Sequence, residues 1–193
     1  MIINDGQGKG YSAGVSDENM LKTEATTQSV EHHVNQIHGQ AYSVPFSVSP
    51  TAADDCIFYL KNDSDTDMTI EGITIGATDP GANDSIYFKL GDTGTRAAAA
   101  TALTPVNLNT GSGNSATGTF EYGVDLGASP GTLDGGTEFE RIILAASAAT
   151  DKVSSSFNFS QDVIVKENGV FSIYIGGSAA GTYYITLHFH YHD

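Results

Sequence analysis

Residues 182–192 read TYYITLHFHYH, and this stretch decides the fold class. Every odd-numbered residue from 183 to 191 is large and apolar or aromatic, while residues 186, 188, 190 and 192 on the even side are a threonine and three histidines. Successive side chains of a β-strand point to opposite faces. The alternation therefore predicts a strand that has one face in a hydrophobic core.

Related patterns fill the chain from residue 41 onward. Short runs rich in β-branched and aromatic residues are separated by clusters of Gly, Asp, Asn, Ser and Pro, and no ten-residue segment has a strong helical period. Such spacing is typical of an all-β, antiparallel β-sandwich with a jelly-roll-like arrangement, which we expect to span residues 41–193. Strands are predicted near residues 41–48, 55–61, 68–76, 84–90, 103–108, 117–124, 138–146, 154–159, 162–165, 169–175 and 182–192.

Two of the predicted strands depart from simple alternation. Between residues 68 and 75 the apolar side chains change from even to odd positions around Gly72, which predicts a β-bulge there. The run from Cys56 to Leu60 is apolar at every position, which predicts a central strand covered on both faces. Cys56 is the only cysteine, so the chain has no disulfide framework or cysteine zinc site, and a buried thiol is expected.

The segment before the last strand has a pattern of its own. Residues 169–175 carry apolar side chains at alternate positions, and the glycine-rich residues 176–181 follow. A short glycine-rich connection between two alternating runs favours a β-hairpin. We therefore expect residues 169–175 to pair with residues 182–192.

Residues 1–40 differ from the rest of the chain, because glycine and polar residues dominate and few side chains could form a core. We expect an amino-terminal extended arm. Val30, Val34 and Ile37 have helical spacing and Gly39 could end the helix, so one prediction places a short helix in the arm. The alternative is an extended segment that becomes ordered only against a partner.

The chain is acidic because it lacks bases. Its 193 residues contain 8 Lys and Arg against 23 Asp and Glu, which gives a formal net charge of -15. A protein that grips nucleic acid needs a basic stripe, and anionic membrane surfaces also attract basic segments. Neither nucleic acid nor a membrane is therefore an expected partner. Contacts are expected at the arm and at the histidine-bearing strand, where acidic residues are sparse.

The first residues have neither the basic region nor the apolar region of a secretory signal. No run approaches the roughly 18 apolar residues of a membrane span. These features predict synthesis in the cytosol.

Three histidines, His188, His190 and His192, share one face of the last predicted strand. Alternate residues of a strand lie about 7 Å apart, so neighbouring imidazoles could share a metal ion. The alternative is a solvated or interface face on which the histidines pack or hydrogen-bond. No organic cofactor is predicted.

No catalytic motif stands out in the sequence. It has no G-x-S-x-G elbow, no H-E-x-x-H helix and no Cys and His pair with an obvious orienting partner. A carboxylate pair for sugar hydrolysis could form only in three dimensions. A non-enzymatic role is expected. A carbohydrate-binding cleft would need Tyr and Phe, since the chain has no Trp, and most of those residues fall on predicted core faces.

The chain carries five short phrases in a distinctive order. A glycine-rich start, DGQGKGY at residues 5–11, is followed by AGVSDENML at 13–21, IFYLKN at 57–62, TPVNLNTGSGN at 104–114 and the closing strand at 184–191. These phrases, spread over most of the chain, resemble small virion structural proteins of tailed bacteriophages.

The resemblance implies a capsid decoration (cement) protein or a head fibre, commonly trimeric, and supplies no catalytic residues. We therefore expect a virion structural protein, made in the host cytoplasm, that decorates and stabilises the outer surface of a phage capsid. It would bind the major capsid protein or another virion protein as a homotrimer. The alternative is a receptor- or glycan-binding module of a phage fibre or tail that uses the loops at one end of the sandwich.

Overall fold

The computed structural model describes residues 2–4, 12–14, 30–78, 80, 84–96, 100–127, 133–144, 152–177 and 181–192. The chain divides into two compact units, Met1–Val30 and Glu31–Asp193. The first contains an antiparallel pair of short strands, β1 (Ile2–Asn4) and β2 (Ser12–Gly14). The rest of the predicted arm up to residue 29, including its glycine-rich start at residues 5–11, lies outside the described residues.

The end of the predicted arm is helical. α1 (Val30–His33) continues into a π-helical turn, Val34–His38, which ends at Gly39. Gly39 has a φ of 61°, in the left-handed region that glycine adopts most readily, and its N–H donates to the carbonyl of Val34 at 2.9 Å. The predicted short helix and its glycine stop are confirmed. No helix in the described part of the chain is long and apolar enough to cross a membrane.

Eleven further strands are described, all in the second unit. They are β3 (Ala41–Val48), β4 (Cys56–Asn62), β5 (Asp67–Thr78), β6 (Ser85–Leu90), β7 (Thr101–Ala102), β8 (Val106–Asn107), β9 (Gly118–Tyr122), β10 (Thr137–Ile143), β11 (Lys152–Val165), β12 (Val170–Gly176) and β13 (Thr182–His192).

These strands form two antiparallel sheets. One has six strands in the order β10-β6-β12-β4-β9-β7, and the other has five in the order β11-β5-β13-β3-β8. The long strands β3, β5, β11 and β13 lie in the five-stranded sheet, and β4, β6, β10 and β12 lie in the six-stranded sheet. Eight strands wound between two sheets in this way form a jelly roll. The predicted all-β, jelly-roll-like sandwich is confirmed.

The two sheets pack around one continuous hydrophobic core. The odd-numbered residues of β13 from 183 to 191 are all buried in it, as the alternation in residues 182–192 predicts. Phe189 of this strand stacks on Tyr42 of β3 and on Phe120 of β9, with ring centroids 5.4 Å and 5.3 Å apart. The core is therefore continuous from one sheet to the other.

A smaller apolar cluster lies on the opposite face of the six-stranded sheet. Cys56 and Tyr59 of β4 pack there with Tyr87 of β6, Tyr174 of β12 and Leu126 from the loop after β9. β4 has a hydrogen-bonded neighbour on each side and apolar side chains on each face. The predictions of a central strand and of a buried thiol are confirmed.

The predicted β-bulge is present in β5. Along the pairing with β13, His188 lies opposite Gly72 and Phe189 lies opposite Ile70, so Glu71 is an extra residue. The extra residue lets the apolar side chains on both sides of the bulge face the same core.

Gly72→Ala is expected to lower the free energy of unfolding by about 1–3 kcal/mol. A Cβ atom at this position would lie 2.8 Å from the carbonyl oxygen of Phe157 and 2.7 Å from Oδ1 of Asn158 in β11. The carbonyl belongs to the sheet ladder and cannot move aside freely. Urea unfolding measures the change, with Gly113→Ala as the control, because no heavy atom lies within 4 Å of a Cβ there. Equal stability of the two variants would contradict this account.

The expectation of a carboxyl-terminal hairpin is wrong. β12 pairs with β4 and β6 in one sheet, and β13 pairs with β3 and β5 in the other. The two strands therefore belong to different sheets, and the sheets of a sandwich lie about 10 Å apart. All seven residues of β12 are buried, so this strand needs a strand neighbour on each side and cover on each face. The burial that these long-range neighbours give to β12 outweighs the tendency of a short connection to form a hairpin.

Candidate functional site

Two of the three histidines predicted as metal ligands, His188 and His190, are described as side chains on the outer face of β13. His190 is buried, and its Nδ1 lies 2.6 Å from Oε1 of Glu71, the extra residue of the β5 bulge. His188 is half-buried, and the side chain of His192 lies outside what the structure describes. The contact between Glu71 and His190 gives a buried imidazole a hydrogen-bond partner, which is a structural role.

Metal binding at His188, His190 and His192 stays a prediction. Among the side chains that the structure describes, no three His, Cys, Asp or Glu residues are grouped as metal ligands would be. Sequence reasoning missed Glu71 as a partner of His190, because the bulge rather than the spacing along the chain brings the two together.

A cavity of about 610 Å³ opens on the outer face of the six-stranded sheet. Tyr87 and Tyr174 line it with stacked rings whose centroids are 5.2 Å apart. The hydroxyl of Tyr87 donates to Oδ1 of Asp54 and that of Tyr174 donates to Oδ2 of Asp92, both at 2.9 Å. The other charged side chains in its lining are Lys89, Asp55, Asp125 and Asp134.

Neither these two tyrosines nor Cys56 is prepared to act as a nucleophile at neutral pH. Burial raises the pKa of both phenols, and their contacts with carboxylates raise it further. Burial also raises the pKa of the Cys56 thiol. A protonated phenol or thiol donates hydrogen bonds but does not attack a substrate. The three groups therefore serve packing and hydrogen bonding.

Basic side chains already cover the rings of the cavity. Nζ of Lys89 lies 4.2 Å from the ring centroid of Tyr174, and the guanidinium carbon of Arg141 lies 4.3 Å from that of Tyr87. These are cation–π distances. An aromatic or sugar ring could stack on either tyrosine only by displacing the cation.

Three asparagine side chains bind the segment that precedes β3, the first strand of the sandwich. Asn107, Asn109 and Asn114 donate from Nδ2 to main-chain carbonyls at the end of the π-helical turn and at Gly39, over 2.7 to 2.8 Å. Carbonyls at a helix end have no partner within the helix, so these bonds fasten the turn to the loop. We call residues 34–39 together with residues 106–114 the anchor patch.

The anchor patch exposes three large apolar side chains. Ile37 is 61%, Val106 is 55% and Leu108 is 47% exposed. The patch belongs to two stretches, residues 32–53 and 97–120, that contain no Asp, Glu, Lys or Arg. Exposed apolar side chains gathered in one place mark surfaces that bind other proteins.

Part of the outer face of the five-stranded sheet is uncharged as well. In three adjacent rows across β3, β13, β5 and β11, no side chain belongs to Asp, Glu, Lys or Arg. We call these twelve residues the neutral face. The rows are Ser43, His188, Gly72 and Asn158; Pro45, Thr186, Thr74 and Ser156; and Ser47, Tyr184, Gly76 and Ser154.

Known proteins give no further guidance to these surfaces. Comparisons with protein-family models, with curated proteins and with solved structures find no match. The resemblance to phage virion proteins therefore stays a prediction. The cavity, the anchor patch and the neutral face are the features of the molecule that bear on its function.

Sequence reasoning predicted contacts at the arm and at the histidine-bearing strand, but it did not predict that residues 106–114 join the first surface or that β3, β5 and β11 join the second. The asparagines of the loop are 68 to 76 residues away from the carbonyls that they bind, and no local pattern predicts a contact over such a separation. The neutral face does have a local signal. Along β3, and along β5 from Gly72 onward, Ser, Thr, Gly and Pro rather than charged residues alternate with the apolar side chains.

Proposed function

We propose that this chain is a non-enzymatic structural protein that decorates and stabilises the outer surface of a phage capsid by binding capsid subunits as an oligomer. The anchor patch is the observation that supports this most directly. The sandwich fastens the entering chain with three asparagine side chains and exposes Ile37, Val106 and Leu108 beside it. A capsid contact made here would use the sandwich and the arm together.

The charge distribution agrees with a protein partner. A chain with a formal net charge of -15 repels phosphate and carboxylate surfaces. The anchor patch comes from stretches without Lys, Arg, Asp or Glu. A neutral or basic protein surface can therefore approach it at the lowest electrostatic cost.

The arm adds contact area that the anchor patch alone would lack. A stable protein interface buries about 800 Å² on each partner, which is more than three exposed apolar side chains provide. Contacts made by the arm would supply the rest. On a symmetric shell, several such contacts made by one oligomer would reinforce each other.

Ile37→Asp and Leu108→Asp are each expected to reduce occupancy on purified phage shells by on the order of tenfold. A carboxylate in place of an exposed apolar side chain would have to be desolvated in the contact. Occupancy is measured by mixing the labelled protein with shells that lack it and sedimenting the shells. Ile143→Asp is the matched control, because Ile143 is 75% exposed on β10 of the other sheet.

Deletion of residues 1–30 removes the first unit at its boundary and should also reduce occupancy. Circular dichroism and thermal unfolding check that the remaining sandwich is intact. The proposal fails if both aspartate variants and the deletion occupy shells as fully as the unaltered protein does.

A receptor- or glycan-binding module is the alternative. The cavity beside Tyr87 and Tyr174 has the volume of a small-ligand site, but Lys89 and Arg141 already occupy the ring faces. A glycan array separates the two functions. Glycan binding that is lost in Asp134→Asn, a change in the cavity lining, would favour the alternative over decoration.

A further inference from the structure

The two outer faces of the sandwich differ in charge. The neutral face has no Lys, Arg, Asp or Glu in its rows. The corresponding face of the six-stranded sheet carries Lys89, Arg141, Glu121 and Glu138 on neighbouring strands. The three rows of the neutral face are therefore polar but uncharged, and the nearest acidic side chain beside them is Glu71, which is paired with His190.

We propose that a second copy of this chain docks on the neutral face through a two-fold contact. Two copies with a formal net charge of -15 repel each other, so they can associate most easily through surfaces that carry no charge. The sheets of a sandwich lie about 10 Å apart, and the Debye length at physiological salt is about 8 Å. In this contact, the charges on the far sheet of one copy are screened from those of the other.

The shape of the neutral face is self-complementary. Tyr184 is 52% exposed and stands in a row between Ser47 and Gly76. A shallow depression of about 490 Å³ lies beside it, with Thr74 and Ser154 also in its lining. A knob and a hollow on the same surface are what a two-fold contact requires, since the knob of each copy enters the hollow of the other. Tyrosine is among the residues that most often anchor interfaces.

The size of the face sets the strength of the contact. Four strands about 4.8 Å apart and three rows about 7 Å apart give a flat footprint of roughly 400 Å² per copy. Two copies would bury about 800 Å², less than the roughly 1,200–2,000 Å² of stable complexes. We therefore expect a weak, reversible dimer in free solution that becomes significant when copies are concentrated side by side.

This inference deepens the proposed function, because it names the contact that makes the oligomer. A two-fold contact yields dimers or even-numbered assemblies, whereas the trimer that the phage resemblance implies needs a head-to-tail contact around a three-fold axis. A dimer or tetramer differs in mass from a trimer, so the mass of the assembly distinguishes the two arrangements.

Tyr184→Asp tests the contact by sedimentation velocity of the full chain over a concentration series. The unaltered protein should dimerise reversibly, and the substitution should lower the association constant by on the order of tenfold or more. Val124→Asp is the matched control, because Val124 has a similar exposure of 47% and lies after β9 of the other sheet. Circular dichroism verifies that each variant is folded.

Ser154→Asp provides a second test on β11, where the side chain is exposed in the same row as Tyr184. It should weaken the dimer like Tyr184→Asp. A protein that stays monomeric at every concentration, or an oligomer that neither substitution weakens, would overturn the inference. An intact dimer that fails to occupy shells would refute the proposed function and leave this contact standing.

Added salt gives an independent readout. Because the contact carries no ion pairs while the chains repel each other, the association constant should rise with sodium chloride concentration. An interface built on salt bridges would weaken instead. A fall in association with salt would therefore count against the neutral face.

Discussion

The free energy of unfolding is expected to fall steeply above pH 10, by about 5 kcal/mol per pH unit. The cause is a set of four tyrosines that are each 5% exposed or less and whose phenols have strongly raised pKa values. They are Tyr87, Tyr174, Tyr183 and Tyr191.

Stability falls as the pH rises because the folded chain holds the phenol protons more tightly than the unfolded chain does. Burial raises the pKa of each phenol in the folded chain, and the hydrogen bond from Tyr183 to Asp84 at 2.7 Å adds to the effect at that site. The unfolded chain releases the same protons near pH 10. Stability is therefore complete below pH 10 and falls above it by about 1.4 kcal/mol per pH unit for each tyrosine. A domain stabilised by about 5–15 kcal/mol should unfold within about one to three pH units.

Circular dichroism and tyrosinate absorbance, recorded together during an alkaline titration, measure this effect. The buried tyrosines should ionise in the same narrow pH interval in which the strands are lost. The same titration in concentrated urea is the control, since every tyrosine of the unfolded chain should ionise near pH 10. Tyr183→Phe should reduce the slope by one proton. Gradual ionisation near pH 10 with intact secondary structure would contradict the prediction.

Asn62→Asp is expected to lower the free energy of unfolding by about 3–5 kcal/mol. Asn62 is fully buried, and its Nδ2 donates to the carbonyls of Thr66 at 2.9 Å and Val165 at 2.8 Å, while Oδ1 accepts from the N–H of Ser64 at 3.0 Å. A carboxylate of the same shape would direct a buried negative charge at two carbonyl oxygens. Urea unfolding at neutral pH measures the loss.

Asn168→Asp is the matched control for that substitution. Asn168 is exposed and its main-chain N–H donates to the carbonyl of Asn62, so it lies in the same region of the fold. Its φ of 59° is one that aspartate tolerates as asparagine does. The same change of charge there should alter stability by less than about 0.5 kcal/mol. Equal losses in the two variants would show that charge alone, rather than the hydrogen bonds of Asn62, causes the effect.

Local alternation carried most of what could be predicted about the fold. The odd-numbered residues of β13 are in the core, the all-apolar run at Cys56–Leu60 is a central strand, and the change of parity near Gly72 is a bulge. Each prediction rests on which face of a strand a side chain occupies, and neighbouring residues determine that face. The sequence was least informative where a contact joins distant segments.

For the candidate functional surfaces, too, local patterns were informative and contacts between distant segments were not predicted. The spacing of His188 and His190 predicted that the two imidazoles could share a metal ion, and this stays a prediction. The contact of His190 with Glu71 was not predicted, because the bulge creates it. The anchor patch was not predicted, since it depends on contacts between the π-helical turn and a loop about seventy residues later. The cavity likewise unites Tyr87 and Tyr174 from strands that are far apart in the chain.

By itself, the sequence determined the fold class, the acidic charge, the solitary buried cysteine and the face of each long strand that enters the core, because composition and alternation are local properties. Tertiary structure alone decided that β12 and β13 belong to different sheets, and that the Ser- and Thr-rich sides of four strands lie next to one another as one neutral face. Strand pairing depends on which apolar faces can be buried together across the whole chain, and no short segment contains that information.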